Sequence, residues 1–243
     1  MISQHFEAVL FDLDDTLHDD TAAYRAAARR VAQAVASEQG IDAGLLRDAY
    51  VREAEAFWAD LDATQLHTSL AGLRAQMWGR ALADVGLHDA SLAQRAAVDY
   101  NRFRAEELEL FPDALPLLHA LRAAGRKTAL ITNGFAETHR EKIVLLRLED
   151  AFDAVLIADE VGMVKPDPNI FLHACALVGA SPAASLMVGD RYERDIRGAQ
   201  HAGLATLWVN PRGETVPPDG PPPDDTVATF EEAAALLSRS LAA

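Results

Sequence analysis

The sequence predicts an α/β protein: a doubly wound parallel sheet with a four-helix unit inserted after its first strand. Short β-rich apolar runs recur along the chain without the polar alternation of a half-exposed strand, which is the pattern of strands buried on both faces. From Pro112 onward these runs alternate with helical stretches, as in a chain of β-α units. Residues 13–127, by contrast, carry no strand signal and show helical periodicity in an Ala-, Leu- and Arg-rich composition.

Taken in order, "AVLFD" (8–12) is the first strand. The insertion then reads as helices over Thr21–Ser37, Gly44–Leu61, Ser69–Val85 and Ser91–Glu107, punctuated by Gly40, Gly86 and the polar "DATQLHTS". Phe57, Trp58, Met77 and Trp78 fall at helical spacing and read as the core of that unit. A helix over Ala114–Ala124 stops at Gly125, and "TALIT" (128–132) is the second strand. Next come a helix over Ala136–Leu146, the strand "AVLIA" (154–158), a helix over Asp167–Val178, the strand "LMVG" (186–189), a helix over Glu193–Ala202 and the strand "ATLWV" (205–209). The segment "PRGETVPPDGPPPDD" reads as a surface loop, since proline removes backbone donors and fixes φ. "TVATFEEAAALLSRS" supplies a last short strand and helix, with Thr229 as its N-cap.

Composition narrows the class of function. The chain has 243 residues, half of them hydrophobic, enough for one large core or a core with an appended unit. No run reaches the length of a membrane span and the start "MISQHFEAVLFD" lacks a signal-peptide pattern, so a cytoplasmic protein without a membrane partner is expected. The net charge of −15 disfavours nucleic acid as a partner, and any anionic substrate then needs a local cationic device. Neither HExxH nor a CxxC pair is present, and the single Cys175 in "FLHACALVG" reads as a small buried hydrophobe. "AAGRKT" lacks the glycine spacing of a phosphate-binding loop and reads as a helix end running into a strand.

Ligands of open α/β sheets bind beyond the carboxyl ends of the strands, so the residues just past each strand are the natural place to look for a site. The first strand delivers Asp12, Asp14 and Thr16; the second, Thr132-Asn133-Gly134; the third, "DEVGMVKPDP" with Lys165; the fourth, "GDRYERD" with Asp190 and Asp195. Several carboxylates cannot remain ionised together in a partly buried site without a cation, and hard oxygen ligands suit Mg²⁺. The aspartate crowding therefore implies a metal.

These four motifs, "DLDDT", "ITNG", "KPDP" and "GDRYERD", together with "GAQHAG" and "LWVN", resemble those of the haloacid dehalogenase-like hydrolases. The resemblance implies a Rossmann-like core over residues 1–17 and 110–243 and a helical cap of that family's first cap class over 18–109. It implies a phosphatase of small phosphorylated metabolites (a sugar phosphate, a nucleoside monophosphate or a phosphoglycolate-like ester). Asp12 is then the nucleophile that becomes an aspartyl-phosphate, and Asp14 the general acid and later the base. Thr132 and the Asn133 amide bind phosphate oxygens, Lys165 stabilises both nucleophile and phosphoryl group, and Mg²⁺ is held by Asp12, the Asp14 carbonyl and Asp190. Asp195 either orients the metal site from behind its ligands or joins them. An acid at position 14 points to phosphorus rather than carbon as the atom attacked. A phosphomutase on the same core, a 2-haloacid dehalogenase and a non-catalytic binding protein are the alternatives.

Other polar residues have simpler readings. Asp19 and Asp20 fit a helix entry, Asp15 is expected to face away from the metal, and Arg191, Glu193 and Arg194 read as a surface ion-pair cluster. His18, Tyr24, His67, Arg74, Asn101 and Arg104 are candidates to reach the substrate.

Overall fold

Uninterrupted apolar runs need both faces covered, and in the computed structural model, which describes residues 6–59 and 70–241, they obtain this in a parallel sheet flanked by helices. The strands are β1 (Ala8–Phe11), β2 (Lys127–Thr132), β3 (Ala154–Ile157), β4 (Ser185–Gly189), β5 (Ala205–Val209) and β6 (Asp225–Val227), in the order β3-β2-β1-β4-β5-β6 with every pairing parallel. Chain order reverses direction at β1, between β2 and β4, which is the switch point where such sheets place ligands. Phe11 is in register with Leu130 on one side and Val188 on the other, so Asp12 emerges beside the ends of β2 and β4.

The helices are α1 (Asp20–Gln39), α2 (Ala43–Ala59), α3 (Leu70–Asp84), α4 (Ala90–Glu106), α5 (Ala114–Ala123), α6 (Ala136–Leu145), α7 (Ala158–Val161), α8 (Pro168–Val178), α9 (Gly198–His201) and α10 (Phe230–Leu241). Leu10, Ala129, Ile131 and Met187 of the sheet pack with Ile170, Phe171, Ala174 and Cys175 of α8, where Cys175 is 1% exposed. Phe111 and Phe230 stack at 6.0 Å where the chain runs into α5 and α10. No helix among the described residues is long and apolar enough to cross a membrane.

The chain divides into two compact units, Met1–Asp19 with Glu109–Ala243, and Asp20–Leu108. The second unit holds α1 to α4, with alanines along α1 (Ala23, Ala27, Ala28, Ala32) buried at the helix contacts. Its aromatic centre is Tyr50 stacked on Trp78 at 3.9 Å, with Tyr100 tilted against both. Met77 is buried there as well, while Phe57 and Trp58 are partly buried against the cluster. The polar punctuation "DATQLHTS", with His67, lies outside the described residues.

Two local expectations are corrected. Ala158 does not extend the third strand but opens the single turn α7, whose Asp159 Oδ2 accepts from the Ala136 amide at the start of α6. The helix expected over Glu193–Ala202 is instead a π-helical turn, Tyr192–Arg197, followed by α9. Such wide turns recur at functional positions, and this one carries Asp195 with its side chain turned inward.

At α10, Thr229 Oγ1 accepts from the Glu232 amide at 3.2 Å and Glu232 Oε2 accepts in return from the Ala228 amide at 2.8 Å, a reciprocal start close to a capping box. Replacing Thr229 by Ala should cost about 1 kcal/mol, read as a lower denaturant midpoint at unchanged slope.

Candidate active site

The turn after β1 builds the centre of the site. Leu17 N–H donates to Leu13 O at 2.9 Å, and Asp15 adopts φ 61°, a left-handed conformation that Asp tolerates better than most residues. The reversal returns Thr16 Oγ1 to within 3.3 Å of Asp12 Oδ2. It also brings His18, wholly buried, to Asp14, with His18 Nε2 2.8 Å from Oδ1.

Each of the two aspartates meets its own buried lysine. Lys165 Nζ donates to Asp12 Oδ1 at 2.5 Å, to Asp195 Oδ1 at 2.6 Å and to the Ile131 carbonyl at 2.9 Å. Lys142 Nζ donates to Asp14 Oδ1 at 2.6 Å, and His139 Nε2 lies 3.4 Å from Oδ2. Burial opposes the Lys165 charge, but the Asp12 and Asp195 carboxylates outweigh it and hold its pKa above the ordinary value. Asn133 fixes the lysine loop from β2: its Oδ1 accepts from Lys165 N–H at 2.9 Å and its Nδ2 donates to Lys165 O at 2.8 Å. The Asn133 side chain is thus committed to Lys165, while Thr132 is buried at the strand end.

Asp190 sits at the end of β4, 1% exposed. Trp208 Nε1 donates to its carbonyl at 2.9 Å, and Arg212 Nη2 donates to its Oδ2 at 2.8 Å. Arg191 Nε also lies 3.4 Å from that oxygen, so this half-exposed arginine turns back onto Asp190, while Glu193 pairs with Arg197. Asp15 Oδ2 lies 4.0 Å from both Arg191 and Arg212. Asp195 has Lys165 on one oxygen and the Arg191 amide on the other at 2.9 Å.

Two glycines are there because a side chain has no room. A Cβ on Gly189 would fall 2.5 Å from Asp195 Cβ and Cγ, and one on Gly134 would fall 1.9 Å from His139 Cε1. The glycines of "GDRYERD" and "ITNG" therefore let Asp195 reach Lys165 and His139 reach Asp14.

The electrostatics separate the carboxylates. Burial pushes Asp12 from an ordinary 3.8 up to about 7, with Lys165 working against the rise and Asp195 and Asp14 adding to it. Burial and the charges of Asp12 and Asp195 also push Asp190 well up, with Arg212 and Arg191 opposing. Asp14 goes the other way: burial disfavours its charge, but Lys142, His139 and His18 hold its carboxyl well below the usual range. The donor set fits a hard divalent cation. Asp12, Asp190 and Asp195 each offer an oxygen within 4.8 Å of one another, and Asp190 Oδ1 is a buried oxygen with no hydrogen-bond partner among the described residues.

Lys142, His139 and Arg212 are the site residues that sequence reasoning missed. His139 and Lys142 lie three residues apart on the buried face of α6, a placement at which a lysine needs a counter-ion, and that was the available signal. Arg212, in a proline- and glycine-rich loop, gave none.

These shifts set a pH dependence for the metal-free protein. Between about pH 4 and pH 7, folded Asp12 keeps a proton that the unfolded chain has lost, so its stabilising contribution is present below that window and lost as pH rises through it. Asp14 has the opposite sign, contributing above its ordinary 3.8 and losing that contribution as pH falls below it. In chelator, the melting temperature of Asp12→Asn should fall less steeply than that of wild type over this window; equal slopes contradict the assignment.

The sequence matches the family model for haloacid dehalogenase-like hydrolases over residues 6–203. It is 33% identical over 226 residues to a glyceraldehyde 3-phosphate phosphatase of Methanopyrus kandleri, covering 93% of this chain and 92% of that protein. It is likewise 33% identical over 240 residues to the N-acylneuraminate-9-phosphatase of Mus musculus, covering 95% and 93%. Among solved structures, the magnesium-bound HAD-hydrolase YfnB of Bacillus subtilis superposes with a TM-score of 0.76 at 23% identity, covering 96% of this chain and 99% of that one. With its parallel sheet, its motif residues gathered at the strand ends and a family match across most of its length, the chain belongs to the haloacid dehalogenase-like hydrolases.

Proposed function

We propose that this protein is a Mg²⁺-dependent phosphatase of small phosphomonoesters that works through a phosphorylated Asp12. The observation that carries the reading is the pair of carboxylates two residues apart at the end of β1, each anchored by a separate buried lysine and driven to opposite protonation tendencies. Two neighbouring carboxylates on separate lysines can divide the tasks of nucleophile and proton carrier, and the metal-free tendencies, Asp12 toward the proton and Asp14 away from it, are ones that a cation beside Asp12 and a leaving oxygen beside Asp14 would reverse. Relatives that are phosphatases by name, at 33% identity across nearly the whole chain, support the same class.

In this reading an Asp12 carboxylate oxygen attacks phosphorus, and the phosphorus–oxygen bond to the leaving alcohol breaks as the new one forms. Lys165, fixed between Asp12 and Asp195, offsets charge on the nucleophile and the transferring group, and Thr132 and the Asn133 amide take phosphate oxygens. Asp14 protonates the departing alkoxide, then removes a proton from the water that cleaves the phospho-Asp12. Held as a carboxylate by Lys142 and His18, resting Asp14 is prepared for the base half of that task. The acid half requires it to take up a proton from solvent as the Lys142 pair opens; that proton passes to the leaving oxygen, and the one later taken from water returns Asp14 to its protonated form until it is released to solvent. Asp12, the Asp14 carbonyl and Asp190 would hold Mg²⁺, which would supply the positive charge that keeps Asp12 ionised and screens the phosphate. Asp195, with both oxygens engaged, acts as a positioning residue for Lys165.

Release of inorganic phosphate from aryl and alkyl phosphates in Mg²⁺ tests this function. Asp12→Asn, nearly isosteric, should keep the fold and lose on the order of 10³-fold or more in kcat. Substantial turnover by a folded Asp12→Asn protein refutes the nucleophile.

The metal assignment has its own readout. Mg²⁺ should raise the melting temperature of wild type by mass action and that of Asp190→Asn much less. Without metal the variant should melt no lower than wild type, because burial and the Asp12 and Asp195 charges disfavour the Asp190 carboxylate by more than Arg212 and Arg191 compensate it. An identical Mg²⁺ shift in both proteins removes Asp190 from the ligand set.

A further inference from the structure

The three carboxylates that could face a cation differ in how many oxygens they leave open. Asp195 leaves neither, with Lys165 Nζ on one and the Arg191 amide on the other. Asp12 gives Oδ1 to Lys165 at 2.5 Å, and its Oδ2 has the longer 3.3 Å contact from Thr16 Oγ1. Asp190 is divided most sharply. Its Oδ2 accepts from Arg212 Nη2 at 2.8 Å and has Arg191 Nε 3.4 Å away, whereas its Oδ1 is buried without a hydrogen-bond partner among the described residues. Arg212 therefore covers the one oxygen of Asp190 and leaves the other for a ligand.

The loop that carries Arg212 is braced to hold it there. Beyond β5, Asn210 Oδ1 accepts from the Glu214 amide at 2.9 Å and its Nδ2 donates to the Glu214 carbonyl at 2.8 Å, which closes the turn from both sides. Gly213, at φ 62°, supplies the left-handed residue of the reversal. Glu214 Oε1 then accepts from Arg212 Nε at 2.7 Å while Nη2 reaches Asp190, so the guanidinium is fixed at two places at once. A rigid planar fork can span two carboxylates in this way, and a lysine ammonium, a single point of charge, cannot. The Arg212 side chain is 34% exposed, so water was open to it, and these contacts turn it onto a buried carboxylate instead.

The number of oxygens a carboxylate can offer decides which divalent cation it suits. Ca²⁺ gathers roughly six to eight oxygen ligands in flexible geometry and accepts both oxygens of one carboxylate, whereas Mg²⁺ is smaller, demands near-octahedral order and keeps several waters. We propose that Arg212 is a positioning residue that sets ion preference: by closing Asp190 Oδ2 it makes Asp190 a one-oxygen donor and turns the seat away from Ca²⁺ and toward Mg²⁺. The inference rests on the metal assignment above, and gives this arginine a part in it that neither the motif residues nor Lys165 supply.

Calorimetric titration of the chelator-treated full-length protein with magnesium chloride and with calcium chloride tests this without reference to catalysis. Arg212→Met keeps an unbranched side chain and removes the donors. Loss of a nearby positive charge strengthens binding of either divalent ion alike, so the ratio of the Mg²⁺ Kd to the Ca²⁺ Kd, rather than either constant, reports the geometry. That ratio should rise about tenfold in Arg212→Met, because Asp190 can then offer both oxygens to Ca²⁺. An unchanged or lowered ratio overturns the proposal even if both constants move, since the arginine then supplies only charge or stability.

If Arg212→Met does not fold, Arg212→Lys decides. It keeps the charge and loses the fork that spans Asp190 and Glu214, so a raised ratio supports the positioning role and an unchanged one overturns it. The titrations also separate this inference from the assignment beneath it. Wild-type protein that binds neither ion removes the metal seat and the proposal with it, whereas wild type that binds Mg²⁺ beside a variant of unchanged ratio removes the role of Arg212 alone.

Discussion

Four aspartates meet at the carboxyl ends of β1 and β4, and the arrangement is possible only because their charges are divided among fixed partners. Lys165 lies between Asp12 and Asp195, Lys142 against Asp14, and Arg212 against Asp190. The division is uneven. Asp14 is over-compensated and stays ionised, whereas Asp12 and Asp190 are under-compensated and driven toward the proton. That imbalance is what a divalent cation would relieve.

Local structure is shaped by the need to bring these partners close. The left-handed Asp15 turns the chain so that Thr16 and His18 return to the two aspartates. Gly134 and Gly189 leave space for His139 and Asp195, and the π-helical turn after β4 carries Asp195 inward. Asn133 ties the end of β2 to the peptide of Lys165, and Trp208 ties β5 to the carbonyl of Asp190. The strand register fixes where Asp12, Thr132 and Asp190 stand, at or just past the ends of β1, β2 and β4, whereas Lys165 and Arg212 reach them from loops.

The helical unit has the reverse electrostatic problem. Its interior holds two arginines, a residue type usually found on exposed faces, around Asp20, together with an indole donor that no described residue accepts. In a protein with a net charge of −15 this is a local inversion of sign.

The sequence by itself determined the α/β class, because strands buried on both faces leave unbroken apolar runs and the interposed helices leave a different period. It also brought Asp12, Asp14, Thr132, Lys165, Asp190 and Asp195 to one sheet edge, since strand ends in a parallel sheet face the same way. Only the tertiary structure decided which groups compensate which. Lys142 lies 128 residues from Asp14 along the chain, and Arg212 lies 22 from Asp190 beyond an intervening strand, separations at which no periodicity links one side chain to another. The same holds for Arg74, whose place on a helix is legible in the pattern but whose neutral partner, Asn101, is a property of how α4 packs beside α3. Charge pairing at long range depends on packing, and packing is not written in any single stretch of residues.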